Sequence, residues 1–292
     1  MSDPTSMLRT GPAVATLPCE ACSIYRSAQL KKLGVRIDRA DHVVALAGNP
    51  NTGKSTLFNT LTGLRQHTGN WPGKTVTRAE GAFAFNGRRY RLVDLPGTYS
   101  LLSTSPDEQV ARDFLLFAQP DVTVVVADAT RLERNLNLTL QVLEITNRVV
   151  LCVNLMDEAQ RHGLVVDTRQ LGRDLGIPVV GTAARRGQGL SELLHAIEDV
   201  ATRRVQCQPI RLPEPPPALR QAIQDLVQQL HRIYPDLPNA RWVAMRLLAG
   251  DESILNAIRT GELAAVTGLS TGTTKAETRA SHETARPDDS HA

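Results

Sequence analysis

Gly48-Asn49-Pro50-Asn51-Thr52-Gly53-Lys54-Ser55 has the spacing G-x-x-x-x-G-K-[ST], with Thr56 next. Glycines at those positions let the backbone curl so that its N–H groups converge on phosphate oxygens. Lys54 can reach the outer phosphates, Ser55 can offer its hydroxyl to Mg2+, and a helix starting there adds its positive end. A chance match in a turn is the alternative. The apolar run Val43–Ala47 before the loop and the helical pattern from Thr56 after it argue against that. Three further groups lie downstream. Asp94-Leu95-Pro96-Gly97 offers a carboxylate for Mg2+, held through water, and a glycine N–H for a terminal phosphate; an ordinary turn would look the same. Asn154-Leu155-Met156-Asp157 offers a carboxylate that can accept from the N1–H and N2–H2 of guanine. Adenine lacks that donor pair, so the residue would enforce base choice. Thr182-Ala183-Ala184 offers a backbone N–H for the guanine O6.

Each of these groups follows a strand pattern. Short apolar runs at 122–127, 149–153 and 177–180 alternate with helical patterns near 134–147, 168–175 and 190–203. Segments 78–85 and 88–93 flank Asn86-Gly87, a hairpin signal. Ser105-Pro106-Asp107-Glu108 combines an N-cap serine, a proline at the first helical position and a capping-box glutamate, so a helix starts there. The alternation predicts an α/β fold: a mostly parallel six-stranded sheet with helices on both faces, plus one antiparallel hairpin. The expected organisation is an extension over 1–41, the nucleotide domain over 42–204, a Pro-rich linker over 205–217, a small all-α module over 218–260 (helices 218–233 and 239–259) and a disordered tail over 261–292.

Composition fits this. The 292 residues carry 33 basic and 30 acidic side chains, a formal charge of +3, so binding to nucleic acid driven mainly by charge is not expected. No apolar run has the roughly 18–20 residues of a membrane helix. The N-terminus has no apolar signal core, so a reducing compartment is expected. Aromatic residues make up only 4%, which leaves the core to Val, Leu, Ala and Ile.

The nucleotide motifs come in the order of translation-factor-like GTPases. More narrowly, the chain resembles the N-terminal cytosolic G domain of the FeoB family of ferrous iron transporters. The resemblance rests on the 48–56 loop, Gly69-Asn70-Trp71-Pro72-Gly73-Lys74-Thr75-Val76 with Glu80-Gly81 beyond, Asp94–Leu101, Asp107-Glu108 and Asp128–Asn135 with Leu136–Leu140. Arg241-Trp242 and Arg246–Asp251 resemble the helical module that follows the G domain in that family, and Cys19–Asp41 resembles an extension of some members.

The resemblance implies a Mg2+-dependent GTPase converting GTP to GDP and phosphate. Thr75 takes the place of the switch I threonine, joining Ser55 and Asp94 around Mg2+, and Gly97 anchors switch II. Thr98 stands where many GTPases carry a water-orienting glutamine. The resemblance substitutes a K+ ion held by Asn51 and by switch I carbonyls near Gly69 and Trp71, so Lys54, Asn51, Thr75 and Gly97 form the catalytic set. The bland alternatives are a turn residue at Asn51 and a strand residue at Thr75. Trp71 itself is expected to be mobile and partly exposed. Ala183 replaces a hydroxyl residue, which implies a lost supporting hydrogen bond and modest nucleotide affinity, with Ala184 still offering its N–H. The implied partner is a ferrous iron permease membrane domain, in the same polypeptide or separate, with a homo-oligomer as a further option. That places the chain in the cytoplasm at the inner face of a bacterial membrane.

Cys19 and Cys22 form C-x-x-C, either bland thiols or a metal or redox pair; a zinc site needs about four ligands, and no second pair is at hand. Arg131, Arg134, Arg185 and Arg186 read as solvated faces or partner contacts. Two rival functions share the nucleotide boxes. One is an RNA-associated assembly GTPase of ribosome maturation or tRNA modification, which would add an RNA-binding signature that 205–292 lacks. The other is a nucleotide-gated binding module with negligible hydrolysis.

Overall fold

The computed structural model describes residues 30, 33–35 and 40–261, apart from 65, 73, 103–104 and 211–213. The Cys19–Cys22 pair and the tail beyond residue 261 lie outside the described residues.

Seven strands form one sheet in the order β2-β3-β4-β1-β5-β6-β7. They are β1 His42–Gly48, β2 Gln66–Asn70, β3 Thr77–Phe85, β4 Arg88–Asp94, β5 Val122–Asp128, β6 Val149–Asn154 and β7 Val179–Gly181. Strands β4, β1, β5, β6 and β7 run parallel; β2 and β3 add antiparallel pairs. Every residue of β6, and all of β5 but its last, is buried, so both faces of the sheet centre are covered, as near-continuous Val-rich runs require. The β3–β4 hairpin turns on Asn86 (φ 47°) and Gly87 (φ 75°), both in the left-handed region that such a tight turn needs.

One strand exceeds the six expected. Gln66-His67-Thr68-Gly69-Asn70 has no apolar alternation, yet it pairs in register with β3, Gly69 opposite Arg78 and Asn70 opposite Thr77. The pairing comes from the β3 edge, and the Trp71 N–H bond to the Val76 carbonyl at 2.9 Å closes the loop between the two strands.

Nine helices accompany the sheet among the described residues: α1 Lys54–Thr62, α2 Pro106–Asp113, α3 Leu132–Ile145, α4 Met156–Arg161, α5 Thr168–Leu175, α6 Leu190–Ala201, α7 Pro217–Ile233, α8 Ala240–Leu248 and α9 Glu252–Arg259. Ser105 caps α2 by accepting the Glu108 N–H at 3.3 Å, and its hydroxyl donates to the Glu108 carboxylate at 2.8 Å, so the two residues read from sequence as a cap pair meet at the helix start. A single π turn, Phe114–Ala118, follows α2 and is fully buried. Where one helix was expected over 239–259 there are two. Gly250 turns the chain at φ 72°, and Asp251 caps α9 through the N–H groups of Ser253 and Ile254. The segment after α6 is pinned to the sheet domain. Gln208 donates to the Gly176 carbonyl at 3.0 Å, and a Cβ at Gly176 would stand 1.9 Å from the Gln208 oxygen. No helix of the described residues is long and apolar enough to cross a membrane.

Candidate functional site

The parallel strands bring the predicted groups to one edge of the sheet. The 48–55 loop follows β1, Asp94 ends β4, Asn154 ends β6 and Thr182 follows β7. The carboxyl end of such a sheet, where the order reverses about β1, is where α/β folds bind ligands.

The phosphate loop is held from both sides. The Thr98 N–H donates to the Gly48 carbonyl at 3.2 Å, which ties the Asp94–Gly97 turn to the first loop glycine. Thr52 Oγ1 donates to the Asn49 carbonyl at 3.0 Å. Gly53 has φ 80°, and a Cβ there would lie 2.3 Å from Asn154 Nδ2, so this position excludes any side chain. Asn51 also sits in the left-handed region, at φ 66°, with its side chain exposed. Asparagine tolerates that region better than most residues, but holding it there stores strain. Ser55 and Thr56 are exposed at the start of α1. Asn49 is buried with its Oδ1 lacking a partner among the described residues. A cavity of about 400 Å3 runs along the outer side of the loop, from Asn49 and Asn51 to Tyr99, Asp128 and Asn135.

Lys54 forms an ion pair with Asp94, and its ammonium also donates to the Leu95 carbonyl at 2.6 Å. Burial pushes the Asp94 carboxyl above its ordinary value, and the Lys54 charge and hydrogen bond offset that only in part. Thr98 is buried, with its hydroxyl donating to the Ser100 carbonyl at 2.6 Å, so it takes no water-orienting position.

Asn154 organises the base side. Its Nδ2 donates to the Thr52 carbonyl at 2.9 Å, and its Oδ1 accepts from Thr182 Oγ1 and from the Ala184 N–H, both at 3.0 Å. One buried amide therefore joins the phosphate loop to the 182–184 loop. The hydroxyl missing at Ala183 is supplied one residue earlier by Thr182, which is itself buried and within 3.2 Å of Cys152 Sγ. The sequence reading of a lost supporting hydrogen bond is thereby corrected. The Met156 N–H donates to the Thr182 carbonyl at 3.1 Å. Burial pushes the Cys152 thiol up to about 12, so it is an inert core group.

Asp157, in the first turn of α4, is gripped by Arg186 Nε at 3.0 Å. Arg186 is exposed, as a solvated face or partner contact would be, but its contact with Asp157 is not read from the sequence. Its position four residues past Thr182 carries no motif, so no sequence signal marked it.

The switch I residues lie in and after β2. Thr75 is exposed in the loop between β2 and β3, and Gly69 lies within β2. Trp71 is 3% exposed, not partly exposed as expected. Its ring stands edge-on to Phe114 at 5.5 Å and lies under the Arg78 guanidinium. The apolar surface of an indole outweighs the solvation of a short loop. The Trp71 carbonyl accepts from the Lys74 N–H at 3.0 Å. Arg134, also read as surface, lies 4.4 Å over the Tyr99 ring.

Known proteins resemble this chain over both the sheet domain and the helical module. Residues 42–197 match the family model "Ferrous iron transport protein B", and residues 216–285 match "FeoB cytosolic helical domain". The Fe(2+) transporter FeoB of Salmonella typhimurium is 41% identical over 212 residues, covering 71% of this chain but 27% of the relative. The chain thus spans about a quarter of the length of that curated relative. Among solved structures, the cytosolic domain of L. pneumophila FeoB matches 78% of this chain and 88% of its own at 35% identity and TM-score 0.66. The cytosolic domain of the T. maritima FeoB iron transporter in a GDP form matches 77% and 84% at 38% identity and TM-score 0.65.

Proposed function

Because this chain belongs to the FeoB family of ferrous iron transport proteins, we propose that residues 42–204 bind GTP with Mg2+ and hydrolyse it to GDP and phosphate. The observation that carries this reading is the Asn154 amide. It joins the phosphate loop to the 182–184 loop beside Asp157, so one buried group sets phosphate and base positions together. The GDP form of the T. maritima domain supports the same nucleotide class. In this reading Asp157 accepts from N1–H and N2–H2 of guanine. The Ala184 N–H shares itself between Asn154 and O6.

Hydrolysis is attack of water on the γ-phosphorus with loss of the bond to the bridging oxygen. Little covalent work falls to the protein, so catalysis is positioning and charge stabilisation. Lys54, buried to about nine-tenths, is paired with Asp94 and would exchange part of that contact for phosphate oxygens. The donor set fits a hard divalent cation: the exposed Ser55 hydroxyl, the Asp94 carboxylate and, once switch I closes, Thr75. Mg2+ would supply neutralisation of the β- and γ-oxygens. Asn51, exposed and held at positive φ, fits the monovalent-cation role; K+ would supply there the charge that an arginine finger supplies elsewhere. Gly97 packs against Pro50 of the loop, which favours an N–H of switch II close to the terminal phosphate.

As the regulatory G domain of a ferrous iron transporter, the domain would pass its nucleotide state through the helical module to a permease at the inner face of a bacterial membrane. The test is GTP turnover with Mg2+ in K+ and in Na+ buffers, for the native chain and Asn51→Ala. K+-stimulated turnover that the variant loses is the expected result. Bound GTP with equal, near-zero turnover in both salts would leave a nucleotide-gated binding module.

A further inference from the structure

We propose that Arg186 is a positioning residue for base recognition: it fixes the plane of the Asp157 carboxylate and locks it to the loop that carries the Ala184 N–H. The inference rests on reading the site as a guanine-nucleotide pocket, and it names how that pocket selects its base.

Arg186 closes the 3-10 turn Ala184–Arg186, its own N–H bonded to the Ala183 carbonyl at 2.8 Å. Gly187 ends the turn at φ 71°, and the Ala183–Gln188 bridge closes the loop at its base. The backbone under Arg186 is therefore hydrogen-bonded on both sides. From it the guanidinium, itself 57% exposed, reaches Asp157 Oδ2 at 3.0 Å, and what sets it apart from a free surface cation is this hydrogen-bonded contact with a carboxylate only 16% exposed. The second cation facing Asp157 is Arg161, one helical turn on, at 3.7 Å and 63% exposed. That is beyond hydrogen-bond length, so it adds charge without direction.

The consequence is geometric. A carboxylate that must accept two parallel N–H donors from a planar base is useful only if its own plane is set. A single acceptor tolerates rotation; a paired one does not. Arg186 holds one oxygen from the side and leaves Oδ1 and the remaining lone pair of Oδ2 for the base. The same short turn carries Ala184, whose N–H is bonded to Asn154 Oδ1 at 3.0 Å. The two contacts that read guanine, a carboxylate from α4 and an N–H from the 182–184 loop, are thereby placed as one unit. An exchange that opens that loop would release both at once.

The experiment uses the full chain and three diphosphates: GDP, IDP, which lacks the 2-amino group, and ADP. Affinities are measured by titration calorimetry for the native protein, Arg186→Ala, Arg186→Lys and Arg185→Ala, with unfolding temperatures checked in parallel. Arg185→Ala makes the same change of net charge next door, on an exposed side chain. The native chain is expected to prefer GDP over IDP and to reject ADP. Arg186→Ala should weaken GDP about three- to fivefold and lower the GDP-to-IDP ratio, because GDP uses both acceptors and IDP one. Arg186→Lys should keep part of the ratio, and Arg185→Ala all of it. A loop that merely loosened would weaken GDP and IDP alike. An unchanged ratio in Arg186→Ala, or an equal fall in Arg185→Ala, overturns the positioning role while leaving the guanine pocket standing. A native chain that binds ADP as well as GDP overturns both.

Discussion

The Arg112 guanidinium donates to Ser253 Oγ at 2.7 Å, joining the last turn of α2 to the first turn of α9. Arg112 is 3% exposed and also pairs with Asp113 at 2.8 Å. Nearby, Asn239 Nδ2 donates to the Leu116 carbonyl at 3.0 Å, a second bond from the helical module to the π turn. The opposite side of the same segment meets switch I, through Phe114 against Trp71 and Gln109 accepting from Lys74 at 3.3 Å. One stretch, Pro106–Ala118, buried from Val110 on except for the half-buried Asp113, thus touches the switch I loop and the helical module.

The first prediction follows from that junction. Arg112→Ala removes a buried cation and leaves the Ser253 hydroxyl without its donor, which should cost roughly 2–3 kcal/mol in urea unfolding. Ser253→Ala should cost less, about 1–2 kcal/mol, because Arg112 keeps Asp113 while Asp251 loses the hydroxyl that donates to it. A loss under about 0.5 kcal/mol for Arg112→Ala would mean that the junction does not bear on stability.

Asp251 makes the helical module sensitive to acid. Burial alone would raise its carboxyl. The Ser253 hydrogen bond, the Arg246 hydrogen bond and charge, and the Ile254 N–H together outweigh burial and hold it below its ordinary 3.8. A depressed native value means the folded chain binds fewer protons than the unfolded one in that window. The stabilisation is present above 3.8 and is lost as pH falls through the native value. Unfolding temperatures followed from about pH 7 down to about 3 should fall more steeply for the native chain than for Asp251→Asn, which keeps a cap acceptor without the charge. Parallel curves would show that this cap is not the titrating group.

The sheet and the nucleotide boxes were legible because their signals are local. Val122–Ala127 and Val149–Val153 are β-branched runs too short for helices, and Asn86-Gly87 fits one turn type. The remainder depended on partners distant in sequence. Gln66–Asn70 is a strand only because β3 offers an edge. Trp71 is buried only because Phe114 stands behind it. Thr182 replaces the hydroxyl absent at Ala183 because β7 aims it at Asn154, and Arg186 meets Asp157 across a gap of 29 positions that no periodicity encodes. The break at Gly250 was visible as a residue type but was read through, since the apolar pattern continues on both sides.

Trp71 offers a spectroscopic readout of switch I. The chain has two tryptophans, Trp71 and Trp242, and both are buried. In Trp242→Phe the remaining emission should be blue-shifted, as for an indole packed against Phe114 and out of water. If Thr75 closes on the nucleotide, the 71–76 loop must reshape, and a non-hydrolysable GTP analogue with Mg2+ should red-shift or quench that emission relative to GDP. Identical spectra in the two states would mean that the loop keeps its hairpin whichever nucleotide is bound.

The last prediction separates the two roles of the Asn154 network. Thr182→Val keeps the shape of a buried side chain and removes one donor. Asn154 Oδ1 still accepts from Ala184, and Asn154 Nδ2 still donates to Thr52. The expected cost is about 1 kcal/mol of stability, with GDP released a few-fold faster because the 182–184 loop is held by one bond fewer. Asn154→Ala removes three bonds at once and strands the Thr52 carbonyl and the Ala184 N–H in a buried setting, leaving the Thr182 hydroxyl with Cys152 Sγ as its partner. That should cost roughly 3 kcal/mol or more and abolish measurable GDP binding. The two losses should be far from proportional. Asn154 sets both the phosphate loop and the base loop, whereas Thr182 braces one side only. Equal effects on GDP release, measured by displacement of a fluorescent GDP, would mean that the phosphate loop keeps its shape without the Asn154 tie.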